Sequence, residues 1–343
     1  MGIVEDFRFQ AHACAEIGSP MYAELLARVV EDIEARGVTR TVLAGHEDDP
    51  GPSALALRLL GSVHRLVLER RAGDLALFYP SVGGHWDVTA GWPAFERVLR
   101  DQPEAVREWL DRAPQTNEVG RAAALYGGLL HLPRDLPVRL MEIGSSGGLN
   151  LRADQFGYRD ASGRTFGGSG LMLENAWRGR PLDAWPDLQV VDRVGSDIAP
   201  VDVTTTEGRL RLTAYVWPDQ VSRLERLRAA FRVAADHPAE VREQDAVTFV
   251  AELEPVEGGT TVLWHSVMWQ YLPRPDRAAI AERIEELGRA ATTRRRFAHL
   301  RAEPGRRSPD AEHEFLVRLR TWPGGEERLL GTAVAHGLPT TWE

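Results

Sequence analysis

The chain has 343 residues, a net charge of −9, 43% hydrophobic and 27% charged residues. These values are typical of a globular protein with one large or two medium domains. The acidic balance argues against sequence-independent binding to nucleic acid, which needs a basic face. No apolar run approaches the ~18 residues of a membrane-spanning helix. The N-terminus lacks a signal-peptide pattern, so we expect a cytoplasmic protein.

The basic residues are all arginine, because the sequence contains no lysine. That excludes a Walker A phosphate loop, a pyridoxal Schiff base and a kinase strand lysine. The single cysteine, Cys14, excludes an intrachain disulfide and a multi-cysteine zinc site. The ten histidines show no metal-binding spacing, so we expect no metal.

Residues 1–135 are predicted to form a helical region. Apolar residues recur with the helical period in residues 22–36, 53–70, 94–110 and 122–130. We therefore expect this region to cover the rest of the protein and to supply polar groups to a ligand pocket.

Residues 136–343 are predicted to form an α/β domain with a Rossmann-like, mostly parallel sheet, because strands alternate with helices. The predicted strands are 138–143, 188–194, 210–216, 261–265, 296–300, 314–320 and 328–335, and the predicted helices are 221–235, 245–252 and 277–290. A glycine-rich insertion at about 157–187 has no clear period and is predicted to form a lid over the site.

The most informative stretch is residues 138–151, which predicts a buried strand, a Gly/Ser turn and the start of a helix. Glycines without a Cβ allow a sharp turn and a close approach of a ligand. Ligands of open α/β sheets bind at such carboxyl ends of strands. Glu142, at the end of the strand, would repel a pyrophosphate but suits a cationic amine or sulfonium.

The order E-x-G-x-x-G-G resembles the acid-x-Gly-x-Gly-x-Gly motif of class I S-adenosylmethionine-dependent methyltransferases, with Ser146 at the place of the middle glycine. The resemblance implies S-adenosylmethionine as the cofactor of a transferase. Its implied cofactor-binding residues in this stretch are Glu142, Gly144, Ser145, Ser146, Gly147 and Gly148.

The resemblance also implies an acid at the end of the second strand that binds the ribose hydroxyls. Asp197, Asp202 and Asp219 are all candidates, and each also suits a turn or a helix cap. Asp245 follows a short strand and resembles the acid that meets the adenine amine.

Residues 261–273 predict a buried strand that runs into a polar, aromatic loop. In the methyltransferase fold this end faces the transferred methyl group. His265 and Tyr271 are the candidate catalytic residues, with His265 as a general base. Trp264 and Trp269 are candidates for the wall of the acceptor pocket.

The same turn contains Gly144-x-Ser146-x-Gly148, which is also the pattern of an α/β-hydrolase nucleophile elbow. Asp219 or Asp245, followed by His265, His299 or His336, would complete a triad around Ser146. A third alternative is a non-catalytic ligand-binding protein on a degenerate methyltransferase fold.

Several further stretches are distinctive: Cys14 with Gly18-Ser19-Pro20 and Tyr22, residues 57–68, Tyr79-Pro80-Ser81, residues 115–121, Glu142-Ile143-Gly144, Trp217-Pro218-Asp219 and His265-Ser266. Together they resemble the DUF2332 family of uncharacterised bacterial proteins. The family implies no activity. We expect Asn117, Glu118 and Arg121, with Tyr22 and Tyr79, to face the pocket of a small-molecule ligand. Neither the methyl acceptor nor the oligomeric state follows from the sequence.

Overall fold

The structure is a computed structural model that describes residues 2–49 and 51–343. The chain forms two compact units. The helical unit contains Met1–Thr116 and Thr205–Glu225, and the sheet unit contains Asn117–Thr204 and Arg226–Glu343. The fold is α/β, with a helical N-terminal region and a large, mostly parallel sheet compatible with a Rossmann-like fold, as the sequence predicts.

The helices of the described residues follow one another along the chain. They are α1 (Ile3–Glu16), α2 (Pro20–Glu34), α3 (Val38–Val42), α4 (Leu55–Leu68), α5 (Val88–Asp101), α6 (Pro103–Arg107), α7 (Ala122–Leu129), α8 (Thr206–Ala214), α9 (Val221–Asp236), α10 (Ala246–Ala251) and α11 (Arg274–Arg289).

The core of the helical unit is built around α4. Its apolar residues Leu59, Leu60, Val63 and Leu66 are fully buried, as a helix without a solvent face requires. Gly61 lets the Tyr215 ring approach α4, since a Cβ there would lie 2.6 Å from the ring. The helical core therefore needs residues from both of its chain segments.

The prediction of a strand at residues 210–216 is wrong, because these residues lie mostly in helix α8. Thr205 caps this helix, and its Oγ1 accepts a hydrogen bond from the Gly208 amide at 3.0 Å. The alternation of apolar and polar residues is also typical of a strand, but Gly208 and Leu212 are buried four residues apart, on one side of a helix that packs on α4.

The strands of the described residues form an eleven-stranded sheet with the order β3-β2-β4-β11-β10-β9-β8-β7-β1-β5-β6. They are β1 (Val138–Ile143), β2 (Gly157–Asp160), β3 (Thr165–Gly167), β4 (Met172–Gly179), β5 (Val190–Asp197), β6 (Glu240–Glu243), β7 (Gly259–Ser266), β8 (Arg295–Gly305), β9 (Glu314–Trp322), β10 (Glu327–Ala333) and β11 (Thr340–Trp342). The neighbours from β6 to β8 are parallel, whereas β8 to β11 are antiparallel.

The predicted lid at residues 157–187 is wrong in its first part. Residues 157–179 form β2, β3 and β4, which extend the sheet beyond β11. The strands are short and contain glycines, so they show no clear alternation over a long window. Backbone pairing within the sheet, rather than sequence periodicity, determines this region.

Helices cover both faces of the sheet. On one face, α10 and α11 pack on apolar residues of β1, β7 and β8, including Ile143, Leu263 and Phe297. On the other face lies α7, where a Cβ at Gly128 would meet Leu300 at 2.5 Å. This close packing places α7 in the sheet unit, so the boundary expected at residue 135 falls inside that unit.

In the part of the chain that the structure describes, no helix combines the length and the apolar character that a membrane crossing requires.

Candidate functional site

Starting from β1, the chain adds the parallel strands β5 and β6 on one side of β1 and then crosses over to add β7 and β8 on the other side. Counted along the chain, the parallel strands β1, β5, β6, β7 and β8 have the order 3-2-1-4-5, which is that of a doubly wound sheet. In such sheets, ligands bind outside the carboxyl ends of the strands at this switch point. Here those ends lead into residues 144–148 and into residues 267–271.

The turn after β1 has a backbone that favours glycine. Gly144, Ser146 and Gly148 have φ values of +67°, +53° and +63°. Ser146 therefore adopts a left-handed conformation that costs a serine free energy and a glycine none. The space beside the two glycines is filled by protein, because a Cβ would meet Met268 at 2.9 Å from Gly144 and Val241 at 2.6 Å from Gly148.

The amide groups of this turn bind acceptors within the protein. The Ser145 amide donates to the Ser196 carbonyl at 3.0 Å, and the Ser146 amide donates to Asp197 Oδ2 at 2.9 Å. The Leu149 amide donates to Asn117 Oδ1 at 2.8 Å. These three donors are thus engaged, which leaves the turn poorly suited to a phosphate group.

Glu142 is a buried acid immediately before the turn, only 3% exposed. Its Oε1 accepts a hydrogen bond from Trp264 Nε1 at 3.1 Å, whereas its buried Oε2 has no partner among the described residues. Burial raises the pKa of the Glu142 carboxyl to about 8, and the Trp264 hydrogen bond offsets part of this rise. The carboxyl thus has an unused acceptor that a cationic donor would satisfy.

The predicted pocket residues Asn117 and Glu118 lie beside this turn. Besides the bond from Leu149 to Asn117, Asn150 Nδ2 donates to the Glu118 carbonyl at 3.3 Å. Asn150 Oδ1 is buried without a partner among the described residues, as Glu142 Oε2 is. Arg121 donates to the Ala335 carbonyl, and its charge slightly lowers the pKa of Glu142.

The two tyrosines expected at the pocket belong to the helical unit. Tyr22 and Tyr79 are both buried in its apolar core. The Tyr22 ring packs at 6.2 Å from the Trp217 ring, and the Tyr79 ring at 5.6 Å from the His64 ring. Their rings therefore contribute to the packing of the helical core.

The candidate acids have different surroundings. Asp197 ends β5, and its carboxylate accepts hydrogen bonds from the Ser146 and Ala199 amides at 2.9 Å each. Asp202 accepts from the Thr204 amide and hydroxyl in a local turn. Asp197 is therefore the acid that directly contacts the glycine-rich turn.

The other two acids cap helices. Asp219 belongs to the helical unit, where it accepts from the Ser19 hydroxyl at 2.6 Å and the Met21 amide at 3.0 Å at the start of α2. Asp245 caps α10 through the Thr248 amide and hydroxyl, and these bonds lower its pKa.

His265 lies on the other face of the sheet from Glu142. Glu142 pairs in register with Trp264, and successive residues of a strand point to opposite faces. His265 Nδ1 contacts Glu303 Oε1 at 2.7 Å, and its Nε2 contacts His299 Nε2 at 3.0 Å. Both nitrogens of the candidate general base are thus engaged.

This buried His265–His299–Glu303 cluster also holds the loop after β7. Glu303 Oε1 accepts from the Met268 and Trp269 amides at 3.2 and 3.4 Å, and the Trp269 ring stacks on His265. Burial lowers the pKa of His299 well below its usual range, so this histidine is neutral. The sequence alone did not point to Glu303, because the predicted strand ended at residue 300, whereas β8 extends to Gly305.

The two remaining aromatic candidates differ in exposure. Trp264 is buried against Glu142, whereas the predicted catalytic Tyr271 is 61% exposed in a short 3-10 turn. Trp264 therefore contributes to the Glu142 site directly, and Tyr271 lies on the surface.

The structure does not assemble a hydrolase triad from His265 or His299 with the acids proposed for it. These two histidines contact each other and Glu303, while Asp219 and Asp245 cap helices. A triad needs the base to contact both the nucleophile and an orienting acid.

Within the described residues, no group of three or more His, Cys, Asp and Glu side chains is arranged to hold a metal ion. A search of the curated proteins finds no match to the chain. The family described as "Uncharacterized protein conserved in bacteria (DUF2332)" matches residues 4–342, essentially the whole chain. The chain therefore belongs to the DUF2332 family.

Proposed function

We propose that the chain binds S-adenosylmethionine at the carboxyl ends of β1 and β5 and transfers its methyl group to a small-molecule acceptor. The support is the switch point of the sheet, the glycine-rich turn after β1 and the acid that ends each of these two strands.

The observation that carries the proposal is the unpartnered Glu142 Oε2. A buried carboxyl oxygen without a donor costs free energy, which a ligand with a cationic donor would recover. The ammonium group of an amino-acid moiety is such a donor. The engaged amides of Ser145, Ser146 and Leu149 argue in the same direction, because a phosphate-rich cofactor would need them free.

The other polar groups fit an adenosyl ligand. Asp197 has lone pairs left beyond its two amide bonds, so it can also accept from ribose hydroxyls. Asn150 Oδ1 offers a second buried acceptor near the turn. When bound, S-adenosylmethionine supplies an electrophilic methyl group, and the contribution of the chain is to position it and to exclude water.

Proton removal from the acceptor has less support than cofactor binding. His265 is buried and both of its nitrogens are engaged. This observation favours, as a second candidate, a protein that binds an adenosyl ligand without catalysis. The two candidates share the Glu142 site and differ in whether bound S-adenosylmethionine is ever converted.

The test is calorimetry with S-adenosylhomocysteine, comparing the natural chain with Glu142→Gln. Glutamine keeps the size and the acceptor for Trp264 but replaces the free oxygen by a donor. We expect the dissociation constant to rise at least about tenfold, because a charge-assisted hydrogen bond is lost. Since the pKa of Glu142 is about 8, binding of an ammonium at pH 7 should also release a proton, detectable as a buffer-dependent heat.

The matched control is Glu257→Gln, whose carboxylate pairs with Arg294 on the surface, and it should bind as the natural chain does. Absence of binding by both S-adenosylmethionine and S-adenosylhomocysteine would refute the proposal. Labelling of Ser146 by a fluorophosphonate would instead support a hydrolase. Binding without any turnover of S-adenosylmethionine in the presence of cellular small molecules would favour the non-catalytic candidate.

A further inference from the structure

A cavity of about 490 Å³ lies elsewhere in the sheet unit, on the side of α7. Its walls come from α7, from the 3-10 segment that follows the glycine-rich turn, from β3 and from the segment before β5. The lining side chains that matter are Tyr126, Asp154, Phe166, Met172, Ala184 and Trp185. No part of the Glu142 site lines this cavity.

The cavity has aromatic walls that are fixed in place. Tyr126, Phe166 and Trp185 are all buried. The Tyr126 ring stacks on Tyr158 at 4.6 Å with an interplanar angle of 6°, and Tyr158 stacks in turn on Trp177. Rings held in this way offer a preformed apolar surface to a ligand.

Asp154 is the only charged side chain among the described residues that line the cavity. Its side chain is 8% exposed. Oδ2 accepts hydrogen bonds from Arg193 and from Gln155 Nε2, whereas the buried Oδ1 has no partner in the described part of the chain. One carboxylate oxygen is therefore left for a further donor, although Arg193 already balances the charge.

The Tyr126 hydroxyl adds a second polar group. Burial and, to a smaller extent, the negative charge of Asp154 raise the pKa of the Tyr126 hydroxyl to about 12. A neutral phenol near a carboxylate can donate to a ligand or accept from it. The cavity thus combines aromatic faces, one free carboxylate oxygen and one hydroxyl.

We infer that this cavity binds a small primary amine in its ammonium form, with an aromatic or aliphatic body between Phe166 and Trp185. The ammonium would donate to Asp154 Oδ1, and the body of the amine would pack on the aromatic rings. The Phe166 ring already has the Arg164 guanidinium 4.9 Å from its centroid, so Phe166 contributes apolar contact rather than a cation–π interaction with the amine. This site is separate from the proposed S-adenosylmethionine site and does not depend on that proposal.

The test uses benzylamine and benzyl alcohol as probes, with calorimetry or ligand-detected NMR at pH 7. Both probes contain a benzyl group, and they differ in charge and in hydrogen-bond donors. This comparison therefore requires no variant of the protein. We expect benzylammonium to bind at least about tenfold more tightly than the alcohol. Equal affinities, or no binding of the amine, would refute the inference.

The position of the amine is tested with Ala184→Trp, which adds a bulky side chain at a residue that lines the cavity and leaves both members of the Asp154–Arg193 pair in place. Its matched control is Ala161→Trp, an exposed position in the turn between β2 and β3. We expect only the first variant to lose benzylammonium binding, provided that both unfold at the same temperature. Binding retained in Ala184→Trp would place the amine elsewhere.

A second control separates this cavity from the Glu142 site, which also suits an ammonium group. Benzylammonium should bind equally well to Glu142→Gln and in the presence of saturating S-adenosylhomocysteine. Loss of the amine in Glu142→Gln would assign it to Glu142 and overturn the inference. If S-adenosylhomocysteine fails to bind at all, the Glu142→Gln comparison still tests the cavity.

Discussion

Burial raises the pKa of the Glu142 carboxyl to about 8, so this side chain is protonated in the free protein between about pH 4.5 and 8, where an exposed glutamic acid is ionised. Its pKa is raised from 4.5 to about 8 because burial penalises the charged form more than Trp264 and the nearby arginines favour it. The unfolded chain has no such penalty. Folding is therefore coupled to proton binding at this one position.

The coupling predicts how stability changes with pH. Because the folded pKa is the higher one, the contribution of Glu142 is fully present below about pH 4.5 and is lost as the pH rises through 8. Glu142→Gln removes this loss. Between pH 4.5 and 8, we expect the free energy of unfolding of the variant, relative to that of the natural chain, to increase by up to about 1.4 kcal/mol per pH unit.

Urea unfolding at a series of pH values measures this difference. Glu257→Gln, at an exposed ion pair, should show no such trend. Parallel stability curves for Glu142→Gln and the natural chain would mean that Glu142 is ionised in the folded protein.

Among the helices and strands, those with a regular apolar period over a buried face were predictable. Helix α4 is an example, and strands β1 and β7 were predictable as short, almost continuous runs of residues that are buried on both faces of the sheet. Helix α8 was not, since its cap and its packing on α4 outweighed an apparent alternation. Strands β2 to β4 were not, since β2 and β3 are short and contain glycines and β4 pairs with the distant β11.

The candidate site could likewise be predicted from the sequence only in part. The turn after β1 carries a local signal in its glycines and in Glu142, and the structure places Asn117 and Glu118 beside it. The face to which His265 points depends on its register with β8, so its engagement by His299 and Glu303 was not readable from the sequence around it. The choice among the three candidate acids likewise needed their partners.

The role of Asp219, one of the three candidates for the ribose-binding acid, can be tested through its contacts with helix α2. Asp219 holds the start of the helix through the Ser19 hydroxyl and the Met21 amide. Asp219→Ala removes both bonds and a negative charge from the N-terminus of the helix, which should lower the free energy of unfolding by roughly 1 to 3 kcal/mol. We expect the dissociation constant of S-adenosylhomocysteine to change less than about twofold.

Thermal unfolding and calorimetry measure the two effects, with the exposed Asp310→Asn as the control. The opposite pattern, weaker binding at unchanged stability, would make Asp219 the ribose-binding acid in place of Asp197.

Each of the two units is built from two separate segments of the chain. The polypeptide passes from the helical unit to the sheet unit at residue 117, returns at residue 205 and leaves again at residue 226. The returning segment supplies core residues: Trp217 belongs to the main helical core, and Ala214 and Tyr215 pack with Trp109. The Ala214 carbonyl also contacts His64 Nδ1 at 3.0 Å inside this unit.

A fragment of residues 1–135, the helical region expected from the sequence, should therefore fail to fold cooperatively. It lacks Trp217, the Asp219 cap and the partner of His64, so α4 would expose apolar surface and leave a buried histidine nitrogen unsatisfied. Circular dichroism should show partial helix and a broad thermal transition, against a sharp transition for the full chain. A sharp transition in the fragment would show that residues 205–225 are dispensable for the helical core.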